Sequence, residues 1–372
     1  MKNNLGLYVH IPFCAAKCAY CDFYSLAGAQ GQWDAYTAAL CGRIGQWSAR
    51  CTAYTVDTVY LGGGTPSVLG ASRLTDILYA IRQNYVLADD AEITCEANPD
   101  SMTQEFLTGI RAAGVNRLSM GIQSADDTEL KMLGRIHTFA QAQEAFARAR
   151  AAGFDNLSVD LMYALPGQTM DGLDRSIRSL LALQPEHLSC YGLTVEPDTP
   201  LGRAHPVLPD EDTQADMYLM LCDRMREAGW EHYEISNFAR PGFRSRHNSR
   251  YWKQEPYLGF GPGAHSDFGG RRLETPRSLD RWLTGELTEE DTDIDRASEY
   301  LMLALRTSDG VDAVWYETAF ERDFTPVARV LQPLVRAGYV KHTDSRWSLT
   351  ETGFLLSNRI LVSVLEAVES ST

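Results

Sequence analysis

Three cysteines crowd into eight residues near the start of the chain, in the run His10-Ile11-Pro12-Phe13-Cys14-Ala15-Ala16-Lys17-Cys18-Ala19-Tyr20-Cys21. The C-x3-C-x2-C spacing follows directly on an apolar run, 7–11, that reads as a first strand. Thiols gathered this closely in a chain of this size read as a metal site. The other five cysteines, at 41, 51, 95, 190 and 222, are scattered singly and read as buried thiols, so no disulfide is expected. Cys14, Cys18 and Cys21 can bind three irons of a [4Fe-4S] cluster. An all-cysteine cluster needs four ligands, so one iron is left open to an outside group. The amino and carboxylate groups of S-adenosylmethionine (SAM) suit that iron and bring the sulfonium beside a low-potential electron donor. Reduction then breaks a C–S bond and yields a 5′-deoxyadenosyl radical. A zinc site is the weaker reading, because it wants a fourth ligand and the nearest candidate, His10, lies inside the strand.

With 372 residues and 44% hydrophobic content the chain can bury a full core and has room for a large domain and a smaller one. No apolar run approaches the roughly 20 residues of a membrane span. The opening MKNNLGLYVHIPFC is broken by His10 and Pro12 before a signal-peptide core can form, so a cytoplasmic location is expected. A net charge of −15 works against unspecific attraction to nucleic acid, and no nucleic-acid partner is expected.

Short β-rich runs alternate with amphipathic helical stretches up to about residue 230, which is the pattern of βα units building a parallel sheet. The predicted strands are 7–11, 58–61, 92–96, 117–121, 157–161 and 187–193, and the predicted helices are 33–47, 72–84, 104–113, 139–152 and 173–183. AAGV before Arg117 and AAGF before Leu157 put a glycine just past a helix, where helices stop. The texture then changes to a loop-rich stretch dense in Arg, Gly, Pro and aromatics, and the end of the chain reads as a small helical module with two strands flanking the turn 343–346. That module resembles a winged helix, and the acidic balance favours a packing or interaction role over DNA binding. The expected division is 1–235, a bridging segment 236–298, and a C-terminal domain 299–372.

Polar groups are expected at the C-terminal ends of the strands, where parallel barrels deliver functional residues. Gly62-Gly63-Gly64-Thr65-Pro66 ends the second, Glu96-Ala97-Asn98-Pro99 the third and Ser119-Met120-Gly121-Ile122-Gln123 the fourth. Arg135-Ile136-His137 and Asp160-Leu161-Met162-Tyr163-Ala164-Leu165-Pro166-Gly167 follow. The glycine turn lacks the lysine of a phosphate loop, and its missing side chains would let backbone groups approach a ligand. The order of these motifs after the cysteine run is similar to the coproporphyrinogen dehydrogenase branch of the radical-SAM superfamily. The resemblance implies an α/β fold with a partial (β/α)6 TIM-like barrel, a bridging loop-rich segment and a small C-terminal winged-helix-like α+β domain. It also implies that Tyr8, Gly63, Gly64, Thr65, Glu96, Gln123, Arg135 and Asp160 line a SAM site, with Tyr20 covering the cluster.

Two features separate members of that branch. The oxidases that decarboxylate coproporphyrinogen carry a further cysteine two positions after the third ligand, where this chain has Phe23, and an N-terminal extension ahead of the motif. The run His247-Asn248-Ser249-Arg250-Tyr251-Trp252 matches the H-N-x-x-Y-W motif of HemW-type haem chaperones. An imidazole is a common axial haem ligand, and Tyr251 and Trp252 could wall the macrocycle. Arg240, Arg244, Arg246, Arg250, Arg271 and Arg272 cluster around the motif and suit propionates, and His265 is a second ligand candidate. The resemblance implies a protein that binds the cluster, SAM and haem and passes haem to an acceptor protein. Oxygen-independent coproporphyrinogen oxidase is the competing reading, and no catalytic residue is assigned. An electron donor such as flavodoxin or ferredoxin, peripheral membrane association and a homodimer are compatible with this role. Cys18→Ala is expected to abolish the broad visible absorption of the anaerobically reconstituted protein, and an unchanged spectrum would refute the ligand assignment.

Overall fold

Strand β1 (Asn3–Ile11) shows why the chain starts as a sheet: Leu5, Leu7, Val9 and Ile11 alternate along it and are all completely buried. The computed structural model describes residues 3–286 and 288–370. β1 is followed by β2 (Tyr54–Gly63), β3 (Leu87–Ala97), β4 (Arg117–Gln123), β5 (Leu157–Tyr163) and β6 (His187–Gly192). Each pairs in parallel with the next. The connecting helices are Trp33–Ser48, Gly70–Asn84, Gln104–Ala112, Phe139–Ala151 and Met170–Ala182, all close to the predicted spans. Thr103, Thr138 and Thr169 start the last three by accepting a hydrogen bond from a first-turn amide. Gly114 and Gly153 end two of them at φ +98° and +86°, as the AAGV and AAGF runs predicted.

Among the described residues no pairing closes β6 onto β1, so the six βα units form an open, partial barrel. The far edge of β1 is taken instead by Tyr257–Phe260, which runs parallel to it with Tyr8 opposite Gly259. His265–Phe268, Arg271–Glu274 and Glu289–Asp291 continue the sheet in antiparallel fashion. The stretch that reads as loop-rich therefore holds short strands between its turns. These pairings explain why the compact units divide differently from the sequence-based boundaries. One unit takes the chain up to Asp210 together with Pro256–Thr292, and the other takes Glu211–Glu255 and the chain from Asp293 onward.

The second unit contains the helix Glu211–Glu227, the hairpin of Glu231–Glu234 with Asn237–Ala239, and the short helix Arg246–Trp252. Its C-terminal part is winged-helix-like. A three-stranded sheet of Val311–Asp312, Arg346–Leu349 and Val340–Thr343 packs with Arg296–Ala304, Thr325–Arg336 and Ser357–Glu369, and its hairpin turns at the predicted 343–346. Among the described residues no helix is long and apolar enough to cross a membrane.

Candidate cluster and cofactor site

Backbone hydrogen bonds sew the cysteine loop to the end of β2 and to its own return at Leu26. Gly64 N donates to Ile11 O at 2.8 Å, Thr65 N to Phe13 O at 2.7 Å, and Leu26 N to Pro12 O at 2.7 Å. A Cβ on Gly64 would lie 2.6 Å from Phe13 O and 2.8 Å from Ile11 O, distances no side chain tolerates. The Gly64 N–H and the Gly63 N–H, which donates to Glu96 at 3.2 Å, are thus used inside the protein. In the GGG run, Gly64 also lets two chain segments touch, a role the sequence did not suggest. Further along, Ala19 N donates to Leu133 O at 3.0 Å, and Tyr20 packs on the cluster of Leu133, Met162, Leu165, Leu193 and Leu201.

Cys14, Cys18 and Cys21 are free thiols, each partly buried. Thr65 Oγ1 donates to Cys14 Sγ at 3.5 Å and Arg135 Nη1 to Cys18 Sγ at 3.4 Å, which are partners suited to thiolates. Burial pushes the Cys21 thiol up, and the Phe23 backbone N–H works against that. Three thiols on one loop, two of them facing donors, fit a [4Fe-4S] cluster with one iron lacking a protein ligand. His10 is not available as a fourth ligand. Its Nε2 donates to Tyr24 O at 3.1 Å, so Nδ1 is the acceptor for the Tyr8 hydroxyl at 2.9 Å, and burial lowers its proton affinity.

The strand ends bring the other predicted residues together. Glu96 accepts from the Tyr60 hydroxyl at 2.7 Å and from Gly63 N, and the Tyr8 ring lies 6.2 Å from that of Tyr60. Asp160 accepts from Ser119 Oγ at 3.4 Å. Burial, then the charge of Glu96, pushes Asp160 up to about 7, with Arg135 and Arg117 opposing. Glu96 is pushed up mainly by burial. Two buried carboxylates with raised proton affinity favour a cation or a hydrogen-bond donor, and the sulfonium and the amino N–H groups of SAM offer these. Gln123 ends β4 at φ +76°, buried. Burial raises the Tyr20 phenol, Arg135 opposes this, and the neighbouring Cys18 and Cys21 add to the rise. One residue of the Glu96-Ala97-Asn98-Pro99 run that the sequence did not assign to the site also joins this group: Asn98 donates to Thr65 Oγ1 at 3.2 Å and accepts from Arg135 Nη2 at 2.8 Å.

The H-N-x-x-Y-W residues lie in the other unit, on the helix Arg246–Trp252. His247 is completely buried and its Nε2 lies 2.8 Å from the Tyr251 hydroxyl, whereas Tyr251 and Trp252 are partly exposed. The arginines of the sequence cluster are divided between the two units, and four of them are paired. Arg244 meets Glu231 and Asp309, Arg250 meets Glu255, Arg271 meets Glu290, and Arg272 meets Asp267. His265 is exposed and lies 3.7 Å from Glu274. Cys222, His232 and Glu351 also approach within 4.8 Å of one another, but Glu351 is held by Arg226 and burial keeps the Cys222 thiol protonated, pushed up to about 12.

The sequence pattern of the Radical SAM superfamily matches residues 8–180, and that of the HemN C-terminal domain matches 291–356. The solved structure of Escherichia coli coproporphyrinogen III oxidase superposes with a TM-score of 0.85 at 23% identity, over 98% of this chain and 90% of that one. Thiol triad, open barrel and these matches define a radical-SAM protein, with the [4Fe-4S] cluster and SAM that this class uses. Two relatives align over nearly their whole length. Heme chaperone HemW of Bacillus subtilis is 37% identical over 96% of this chain and 98% of its own, and that of Escherichia coli is 35% identical over 96% and 97%. Within the superfamily, the chain belongs to the HemW family.

Gly64→Ala is expected to cost about 1–3 kcal/mol in denaturant unfolding and to reduce iron loading, because the new Cβ pushes the cysteine loop off β2. For Asp160 the sign follows from its raised proton affinity. The folded state holds this proton more tightly than the unfolded state, so stability falls as pH rises from about 4 towards about 7. Urea titrations at about pH 5 and about pH 8 should show the wild type losing more stability than Asp160→Asn over that interval.

Proposed function

We propose that this chain carries haem and hands it to an acceptor protein, with a [4Fe-4S] cluster on Cys14, Cys18 and Cys21 and SAM seated at the neighbouring strand ends. The observation that carries this reading is the near full-length similarity to proteins named Heme chaperone HemW. The side chain at the position where the oxidases place another cysteine supports it, since Phe23 is 70% exposed and offers no ligand. Tyr8, Gly63, Gly64, Thr65, Glu96, Gln123, Arg135 and Asp160 form the SAM seat, and Tyr20 covers the cluster. Glu96 and Asp160 receive the amino N–H groups and the sulfonium of SAM, while Arg135 and Thr65 keep the thiols oriented. The chain works in the cytoplasm, and a flavodoxin or ferredoxin supplies the electron.

His247 is the proposed axial ligand to haem iron, flanked by Tyr251 and Trp252. Because Nε2 is engaged by the Tyr251 hydroxyl, haem ligation through that nitrogen requires Tyr251 to swing away. His247→Ala is expected to weaken haem binding at least about tenfold in a titration followed by the Soret band, with iron and sulfide content unchanged. Unaltered affinity would remove His247 from the site. Turnover of coproporphyrinogen III with SAM by the reconstituted wild type would replace the chaperone reading with the oxidase one.

A further inference from the structure

We propose that Asn98 is a positioning residue that joins the thiols of Cys14 and Cys18 through one hydrogen-bonded chain and so sets the reduction potential of the cluster they hold. The inference rests on the assignment of these two cysteines as cluster ligands. The chain runs from Cys14 Sγ to Thr65 Oγ1 at 3.5 Å, to Asn98 Nδ2 at 3.2 Å, from Asn98 Oδ1 to Arg135 Nη2 at 2.8 Å, and from Arg135 Nη1 to Cys18 Sγ at 3.4 Å. Its direction is determined by chemistry. Arginine can only donate, so the amide oxygen faces Arg135 and the amide nitrogen faces Thr65. Having accepted from Asn98, the Thr65 hydroxyl has its own hydrogen left for Cys14.

Asparagine suits this place because one short planar group carries both a donor and an acceptor. Aspartate would offer two acceptors and draw the Thr65 hydrogen away from Cys14, and leucine would offer nothing. The surroundings hold the amide still. Pro99 restricts the Asn98 backbone to extended conformations, which it adopts at φ −96° and ψ 148°. The Asn98 carbonyl accepts from Ser101 N at 3.0 Å and from Ser101 Oγ at 2.9 Å. The same Arg135 Nη2 that meets Asn98 also donates to the carbonyl of Gly121, which helps pin the guanidinium. A Cβ at Gly121 would lie 3.1 Å from Asn98 Oδ1 and 3.2 Å from Arg135 Nη2, so the glycine leaves room for the pair.

Hydrogen bonds to ligand sulfur stabilise the more negative, reduced cluster and raise its potential. The test is a redox titration of anaerobically reconstituted protein, monitored by the electron paramagnetic resonance of the reduced cluster, on wild type, Asn98→Leu, Thr65→Val and the double variant. Asn98→Leu is expected to shift the midpoint to more negative values at full iron loading. Its shift and that of Thr65→Val should sum to more than the double variant shows, because part of the Asn98 effect passes through Thr65. Should Asn98→Leu fail to load iron, Asn98→Asp serves in its place. It keeps an acceptor for Arg135, is read against Thr65→Val in the same way, and should also titrate below the wild type. An unchanged midpoint in a fully loaded variant, or strictly additive shifts, would overturn the inference. Cluster assembly in Cys18→Ala would instead overturn the ligand assignment beneath it.

Discussion

The backbone seam between the cysteine loop and the end of β2 is the contact on which the rest of the site depends. Two amides, Gly64 N and Thr65 N, are donated to the carbonyls of Ile11 and Phe13 on either side of Pro12. Proline itself has no N–H to offer, so at this point the seam with β2 runs through the carbonyls on its two sides. The missing side chain at Gly64 allows that approach. From the seam onward, the side chains that link Cys14 to Cys18 come from different strand ends: Thr65 after β2, Asn98 after β3, and Arg135 beyond β4. An open parallel barrel supplies such ends in a row, which is why this fold suits a loop-borne cluster.

Electrostatics divide the site into two parts. Near the thiols stand donors, Thr65 and Arg135, that favour negative sulfur. Deeper among the strand ends stand Glu96 and Asp160, whose raised proton affinities show that the protein alone does not neutralise them fully. SAM carries a carboxylate, a sulfonium and amino N–H groups, so one ligand can answer both halves.

The βα alternation was legible because its helices are amphipathic, because two of them stop at glycines, and because β1 alternates cleanly. Its strands proved longer than their apolar cores, since polar ends such as Asn3 and Thr55 still pair. The sheet extension from Tyr257 to Asp291 was hidden by strands of three or four residues set among glycine and proline turns. Within the site the cysteines declared themselves through spacing. Asn98 did not, because a lone amide after a strand has no periodic signature and its value lies in two partners 33 and 37 residues away. The burial of His247 and the pairing of the arginines were equally invisible, since both depend on neighbours brought in by folding.

Central to this account is a cluster with three protein ligands and one iron left for SAM. Mössbauer spectra of the iron-57-reconstituted protein, recorded with and without SAM, test it most directly. The account predicts that SAM changes the signal of one iron in roughly four and leaves the others as they were. Spectra identical in the presence and absence of SAM would contradict it.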